Sequence, residues 1–327
     1  MTAFFIMKKI ALIYMGGTFG CVGEPLAPMP ADTFLPKLQT YLPSTLNIEC
    51  FVAPVIKDSS ACSAADWLQL AAQIQNLQQK NFEHFVIIHG TDTLSYAGAV
   101  LSYLLVNSVY VVLTGSQYPL LNIDASAKHD DSDALSNLLN ALTAVQQLNK
   151  GVYLAFDHEW IHARSALKRH TTDLAAFTGL NAETPLPHLD KAIFITDERI
   201  EKAAAFNCIS YMLQPITAEQ HLYNLQQFFF SPPHCLILQG FGTANFAATP
   251  EIIALLQQFK QKNCLVILST QVPFGVVDQR YAVNAWVKDA EILFGNGFGH
   301  ADLYAKALKM YLQYDAVTEW QQHWYDE

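Results

Sequence analysis

Two short polar turns carry the side chains best suited to covalent chemistry, Gly16-Gly17-Thr18 and His89-Gly90-Thr91-Asp92-Thr93. A threonine hydroxyl is a weak nucleophile, and to attack a carbonyl it needs a proton acceptor and a group that orients that acceptor. Thr91, Lys168 and Asp92 could supply hydroxyl, base and orienter in the arrangement of a catalytic triad. Each has an ordinary reading as well. Asp92 or Thr93 is equally suited to cap the helix that follows, and Lys168 lies in Arg164–His170, a stretch whose composition reads as a solvated basic turn.

Other motifs point to different chemistry. His158-Glu159-Trp160-Ile161-His162 is a literal HExxH, which on a helix would set two imidazoles one turn apart for zinc. It directly follows an apolar strand-like run, so a loop or first helical turn is expected there, and no metal. Gly16-Gly17-Thr18-Phe19-Gly20 and Gly240-Phe241-Gly242 complete neither a dinucleotide fingerprint nor a Walker loop. The six cysteines have no CxxC spacing and several sit in apolar runs, which fits a reducing compartment.

The elements that must position these turns follow from periodicity. Phe85–Ile88 is a continuous apolar run, as expected of a parallel strand buried on both faces, and Tyr96, Val100, Leu101 and Leu104 then repeat at helical spacing. The same strand-then-polar-break pattern occurs at Lys9–Met15, Ile48–Ile56, Val109–Leu113 and Val152–Phe156. Helices are expected over Trp67–Gln79, opened by Asp66, and along the stripe Leu135, Leu138, Leu139 and Leu142. Phe19–Pro36 reads as a long lid-like loop. Gly179–Ala205 is mixed, with a short strand expected at Ala192–Ile195. Later strands at Ile209–Leu213, Leu236–Leu238 and Leu265–Leu268 alternate with helical patterns. The expected fold class is therefore α/β, with two α/β domains: a larger N-terminal parallel-sheet domain at 1–185, a connection at 186–206, and a smaller C-terminal domain at 207–327.

With 327 residues, 51% of them hydrophobic, the chain has material for two cores. A formal charge of -10 opposes binding to nucleic acid or to anionic membranes. FFIM before Lys8 and Lys9 lacks the features of an export signal, Met7 is a possible alternative start, and no apolar run is long enough to span a membrane. A cytoplasmic location is expected.

Taken together, these motifs resemble the bacterial L-asparaginases, cytoplasmic branch. Gly16-Gly17-Thr18 is similar to the first family signature and His89-Gly90-Thr91-Asp92-Thr93-Leu94 to the second. Leu113-Thr114-Gly115-Ser116-Gln117 with Pro119 is similar to the following strand, and Asp58-Ser59-Ser60 to the substrate-binding turn. Ser132-Asp133 with Asn137-Leu138 resembles the family's SDGxxNL, and Arg164 with Lys168 its RxxTK. The resemblance implies hydrolysis of the side-chain amide of L-asparagine through an acyl-enzyme, with glutamine as a possible second substrate. It implies Thr18 as first nucleophile and Thr91, Asp92 and Lys168 as a neighbouring triad. Ser59, Ser60, Gly90 and Asp92 would bind substrate. No cofactor is implied, and a homodimer or homotetramer is. An amidotransferase subunit would need an added N-terminal domain, whereas strand one is expected from Lys8.

Three positions depart from the family pattern. Its lid carries a tyrosine soon after the GGT turn, yet Phe19–Thr40 contains none, and Leu26 stands about where it would be. Ala134 replaces the glycine of SDG, and Leu167 the threonine of RxxTK. Glu24 in the lid, and less favourably Tyr14 on the adjoining strand, are the nearest groups in sequence that could serve Thr18.

Overall fold

The computed structural model describes residues 8–326 apart from 188 and 190. The FFIM run and Met7 lie outside the described residues. The chain forms two compact units that divide between Ala204 and Ala205.

In the first unit, β1 (Lys9–Tyr14) leads into a small antiparallel hairpin, β2 (Cys21–Val22) and β3 (Ala27–Pro28), and then α1 (Ala31–Gln39). There follow β4 (Asn47–Val52), α2 (Ala64–Gln78), β5 (His84–Ile88), α3 (Leu94–Leu105), β6 (Tyr110–Thr114), α4 (Ala134–Gln147), β7 (Gly151–Phe156) and β8 (Glu159–His162). Their sheet has the order β4-β1-β5-β6-β7-β8. All neighbours are parallel except β7 and β8. Ile10, Leu12, Tyr14, Val86 and Ile88 face a core closed by Phe34 and Leu38 of α1 and by Leu138, Ala141, Leu142 and Val145 of α4. The alternate residues Ala11, Ile13, Phe85 and Ile87 are equally buried. On that side α3 contacts β6 and β7, and α2 packs on α3. Burial on both faces is what makes these strands continuous apolar runs, each large side chain contributing about 1.5–3 kcal/mol.

Several expectations need correction. The segment expected as one loop after Phe19 holds the β2–β3 hairpin and α1. Pro30 and Pro36 disguised that helix, although Phe34 and Leu38 are spaced one turn apart and fully buried. β4 stops at Val52, short of the expected Ile56: Ala53 still donates to the Tyr14 carbonyl, but Pro54 has no N–H with which to continue the ladder. α2 starts at Ala64, before Asp66, because Ser63 and Asp66 form a capping box. Ala192–Ile195 is not a strand. The Gln75 side chain donates to the Ile193 carbonyl and accepts from the Ile195 N–H, so one amide imitates a strand partner. The connection expected over 186–206 contains α5 (Asp197–Ala204), which packs on α2 within the first unit.

Of HExxH, His158 lies in a turn after the strand as expected, but the rest is neither loop nor helical turn. Asp157 and His158 have φ of 45° and 65° and form the two-residue turn between β7 and β8, so Glu159–His162 is a strand. The His162 Nε2 is 2.7 Å from the Thr184 carbonyl oxygen. Among the described residues, no group of three or more His, Cys, Asp or Glu side chains is arranged to hold a metal ion.

β9 (Leu167–Lys168) and β10 (Phe177–Thr178) form a separate antiparallel pair. The second unit is a parallel sheet of β11 (Cys208–Met212), β12 (Cys235–Gly240), β13 (Leu265–Thr270) and β14 (Leu293–Phe294), in that order. Its helices are α6 (Ala218–Phe230), α7 (Pro250–Gln261), the short α8 (Trp286–Asp289), α9 (His300–Gln313) and α10 (Val317–His323). No helix among the described residues is long and apolar enough to cross a membrane.

Candidate active site

From β1 the chain crosses to β4 on one side and returns to β5 on the other, so the strand order reverses between β1 and β5. In open α/β sheets a ligand crevice forms beyond the carboxyl ends of the strands at such a reversal. Gly16-Gly17-Thr18 leaves β1 there, and His89–Thr93 leaves β5.

Close backbone approach fixes the two turns against each other. Gly17 has φ 87°, and a Cβ on it would lie 2.4 Å from the Gly90 Cα. A Cβ on Gly90 would lie 2.4 Å from the Ser59 Oγ, so the turn after β4 joins the same cluster. Only glycine fits either position. Thr93 Oγ1 donates to the Ser59 carbonyl over 2.8 Å, fastening the third turn to the second. Asp58 accepts from the Ser60 N–H at 2.8 Å and the Ser60 hydroxyl at 2.6 Å, and these bonds hold its carboxyl below the usual carboxylate range. Ser59 is buried and Ser60 exposed.

Lys168 arrives from the β9–β10 pair. Its Nζ donates to Thr91 Oγ1 at 2.9 Å and to Asp92 Oδ1 at 3.0 Å. Thr91 is buried, while Asp92 is mostly exposed. Charged, the amine orients the hydroxyl and the carboxylate. Without its proton, it can take the one on Thr91. Thr18, half-buried, opens a single 3-10 turn, Thr18–Gly20, beside Gly17. Of the residues expected to form the site, Ser59, Gly90, Thr91, Asp92 and Lys168 are linked by the contacts above, Ser60 through Asp58, and Thr18 through Gly17.

His89, also expected near the site, has another task. Its Nδ1 donates to the Gly90 carbonyl at 2.8 Å, and its Nε2 accepts from the Trp67 indole at 3.2 Å. Burial pushes its pKa down, so the ring stays neutral and braces the turn. Two further supports, Asp133 and Asn137, belong to the stretch that resembles SDGxxNL, and the structure gives them a task. The Asp133 carboxylate accepts from the Gln117 and Tyr118 N–H groups and from Asn137 Nδ2. Asn137 also donates to the Gly115 carbonyl and accepts from the Asp157 N–H, tying the loop after β6 to the turn after β7. Gln117 Nε2 then reaches the carbonyls of Thr171 and Asp173, in the β9–β10 loop next to Lys168. An Asp and an Asn one helical turn apart, at the start of α4, were the available signal.

The lid side is looser. The hairpin's Gly23 N–H bonds the Ile123 carbonyl, yet Glu24 and Leu26 at its tip are exposed.

Residues 9–200 match the model of the N-terminal asparaginase domain. The chain belongs to the asparaginase family. It is 27% identical over 327 residues to Escherichia coli L-asparaginase 1, covering 94% of this chain and 91% of that one. It is 29% identical over 323 residues to the mouse 60 kDa lysophospholipase; there the match takes in 88% of this chain but spans only 56% of the relative's length. In structure it superposes on the thermostable L-asparaginase from Thermococcus kodakarensis with a TM-score of 0.78, 21% identity and 96% coverage of both chains. The asparaginase family thus accounts for the α/β architecture of both units.

Proposed function

We propose that this chain hydrolyses the side-chain amide of L-asparagine to L-aspartate and ammonia. The observation that carries the reading is Lys168 Nζ bonded to both Thr91 and Asp92 at the strand-order reversal. In this reading Thr18 Oγ attacks the amide carbonyl carbon, the tetrahedral adduct expels ammonia with the proton that Thr18 gave up, and an ester to Thr18 remains. Thr91, with Lys168 as base and Asp92 as orienter, activates the water that cleaves that ester. Ser59, Ser60, Gly90 and Asp92 hold the substrate's amino and carboxylate groups.

Glutamine is a poorer or comparable second substrate, since one methylene changes pocket affinity by only about 1–3 kcal/mol. A reducing cytoplasm suits six cysteines that are all free, and a homodimer or homotetramer is the assembly we infer from the family.

The test is ammonia release from L-asparagine, L-glutamine and their D-forms, by the full chain and by Thr91→Ala. Steady-state release from L-asparagine that falls about 10²-fold or more in the variant supports the reading. Release that persists unchanged in the variant removes Thr91 from the mechanism. A second reading, an amino-acid-binding relative without turnover, is favoured by one observation: the lid has no tyrosine and Leu26 at its tip is exposed. Calorimetry showing aspartate binding without ammonia release from any amide would decide for it.

A further inference from the structure

Tyr14, the last residue of β1, is fully buried, with its ring centroid 4.7 Å from that of Phe34. Its hydroxyl has no hydrogen-bond partner among the described residues. That oxygen lies directly beneath the turn that carries Thr18: a Cβ on Gly20 would come within 2.0 Å of it. Gly20 closes the turn by donating to the Gly17 carbonyl at 3.2 Å, and the next residue's thiol, Cys21 Sγ, donates to the same carbonyl at 3.4 Å. Cys21 also begins the lid hairpin.

A phenol without a partner in the core is a net cost to the folded state, one that phenylalanine would avoid with the same packing. Its position under a nucleophile's turn gives that cost a use. We propose that Tyr14 is a positioning residue for Thr18, its hydroxyl bracing the Gly17–Cys21 turn from below by its close approach to Gly20. The inference rests on the reaction proposed above. Burial, and secondarily the neighbouring Cys21, push the phenol well above its ordinary pKa, so it stays protonated and acts as a packing contact and not as a proton acceptor. A rigid contact at this place restrains the turn when Cys21 shifts with the lid, and small misplacements of a nucleophile are costly to rate.

The experiment compares the full chain with Tyr14→Phe by steady-state ammonia release, thermal melting and amide hydrogen exchange. We expect kcat to fall about tenfold or more with KM little changed. The Tm should hold or rise, and exchange should quicken at Gly20, Cys21 and Met29, whose N–H groups close the turn and the hairpin. Unchanged kcat and unchanged exchange overturn the proposal. So does a kcat loss that tracks a lower Tm with faster exchange across the whole sheet, because that is ordinary destabilisation. If the unmodified chain releases no ammonia from any amide, the functional reading falls by itself. The exchange comparison then decides alone, faster local exchange supporting the brace and unchanged exchange refuting it.

Discussion

The two halves of the site are built to different standards. After β5, each polar group of the His89–Thr91 turn that matters is buried and bonded: His89 between Trp67 and Gly90, and Thr91 to Lys168. After β1, Thr18 is half-buried on a single turn, and the hairpin beyond it ends in exposed Glu24 and Leu26. Fixed hydrogen bonds need no reorganisation during reaction, whereas a surface hairpin must be ordered by substrate. In the proposed reaction this makes ester hydrolysis the pre-assembled step and the first attack the step that depends on closure.

Removing the reacting groups tests that division with the largest effect. Thr18→Ala and Thr91→Ala should each lower turnover by about 10² to 10⁴ while the Tm stays near that of the parent, because each removes a turn hydroxyl and not a core side chain. Lys168→Met and Lys168→Arg should both fail, since an arginine cannot give up its proton. A rapid-quench burst of ammonia that survives in Thr91→Ala but not in Thr18→Ala would assign the two steps to the two halves. An active Lys168→Arg would reduce that lysine to a positive charge.

A pair of glycines sharpens the contrast in stability. Gly17 and Gly23 both have positive φ, 87° and 83°, so alanine is strained at either. At Gly17 the new methyl would also strike the Gly90 backbone at 2.4 Å, but at Gly23 the nearest atom is the Pro25 carbonyl oxygen at 3.6 Å. Gly23→Ala should therefore cost about 1 kcal/mol and Gly17→Ala several-fold more, measured by urea unfolding. Equal costs would mean that the contact between the two turns yields easily and the half after β5 is not rigid.

The same half should respond to acid. His89 has its pKa lowered by burial, so below about pH 6.5 an unfolded chain takes up a proton that the folded imidazole refuses. Stability from this group is complete above the unfolded value and declines as pH falls from there toward the folded one, by up to about 1.4 kcal/mol per pH unit. His84, His162, His221 and His300 are lowered by burial in the same direction. The Tm should fall between pH 7 and pH 5.5, and imidazole deuterium exchange read by mass spectrometry should find His89 titrating below an exposed histidine. A flat Tm across that range is incompatible with these buried neutral rings.

How much of this could be read from the sequence varied with the kind of interaction. Strands buried on both faces announce themselves as apolar runs, and the polar breaks after them are where Thr18, Thr91 and Asp92 leave the carboxyl ends of β1 and β5. Lys168 could be named as a candidate base from its amine alone, but its place in the site could not be read, because its partners lie 77 and 76 residues away and its own surroundings read as a basic turn. Asp133 and Asn137 were legible as part of a motif resembling SDGxxNL but not as clamps on the loop after β6 and the turn after β7, since their partners there are backbone groups and backbone groups leave no mark in a sequence. α1 was hidden by Pro36, and Ala192–Ile195 passed for a strand because a single glutamine side chain meets its backbone.

The smallest effect expected is at the lid tip, where the two halves differ most in composition. Leu26 is 55% exposed in a hairpin that presents no hydroxyl, so nothing at the tip can relay a proton from Thr18 except the carboxylate of Glu24 two residues earlier. Tyr14 is excluded as acceptor by its burial, which leaves it the bracing role. If closure of the lid limits the first step, Leu26→Tyr supplies the missing polar tip and should raise kcat roughly tenfold. Glu24→Gln should lower kcat by a similar factor if the carboxylate is the present substitute, and the two variants combined should then approach Leu26→Tyr alone. A coupled ammonia assay resolves changes of that size. If neither substitution moves kcat, the lid tip takes no part in proton transfer, and the group that serves Thr18 has to come from the crevice itself or from a second copy of the chain.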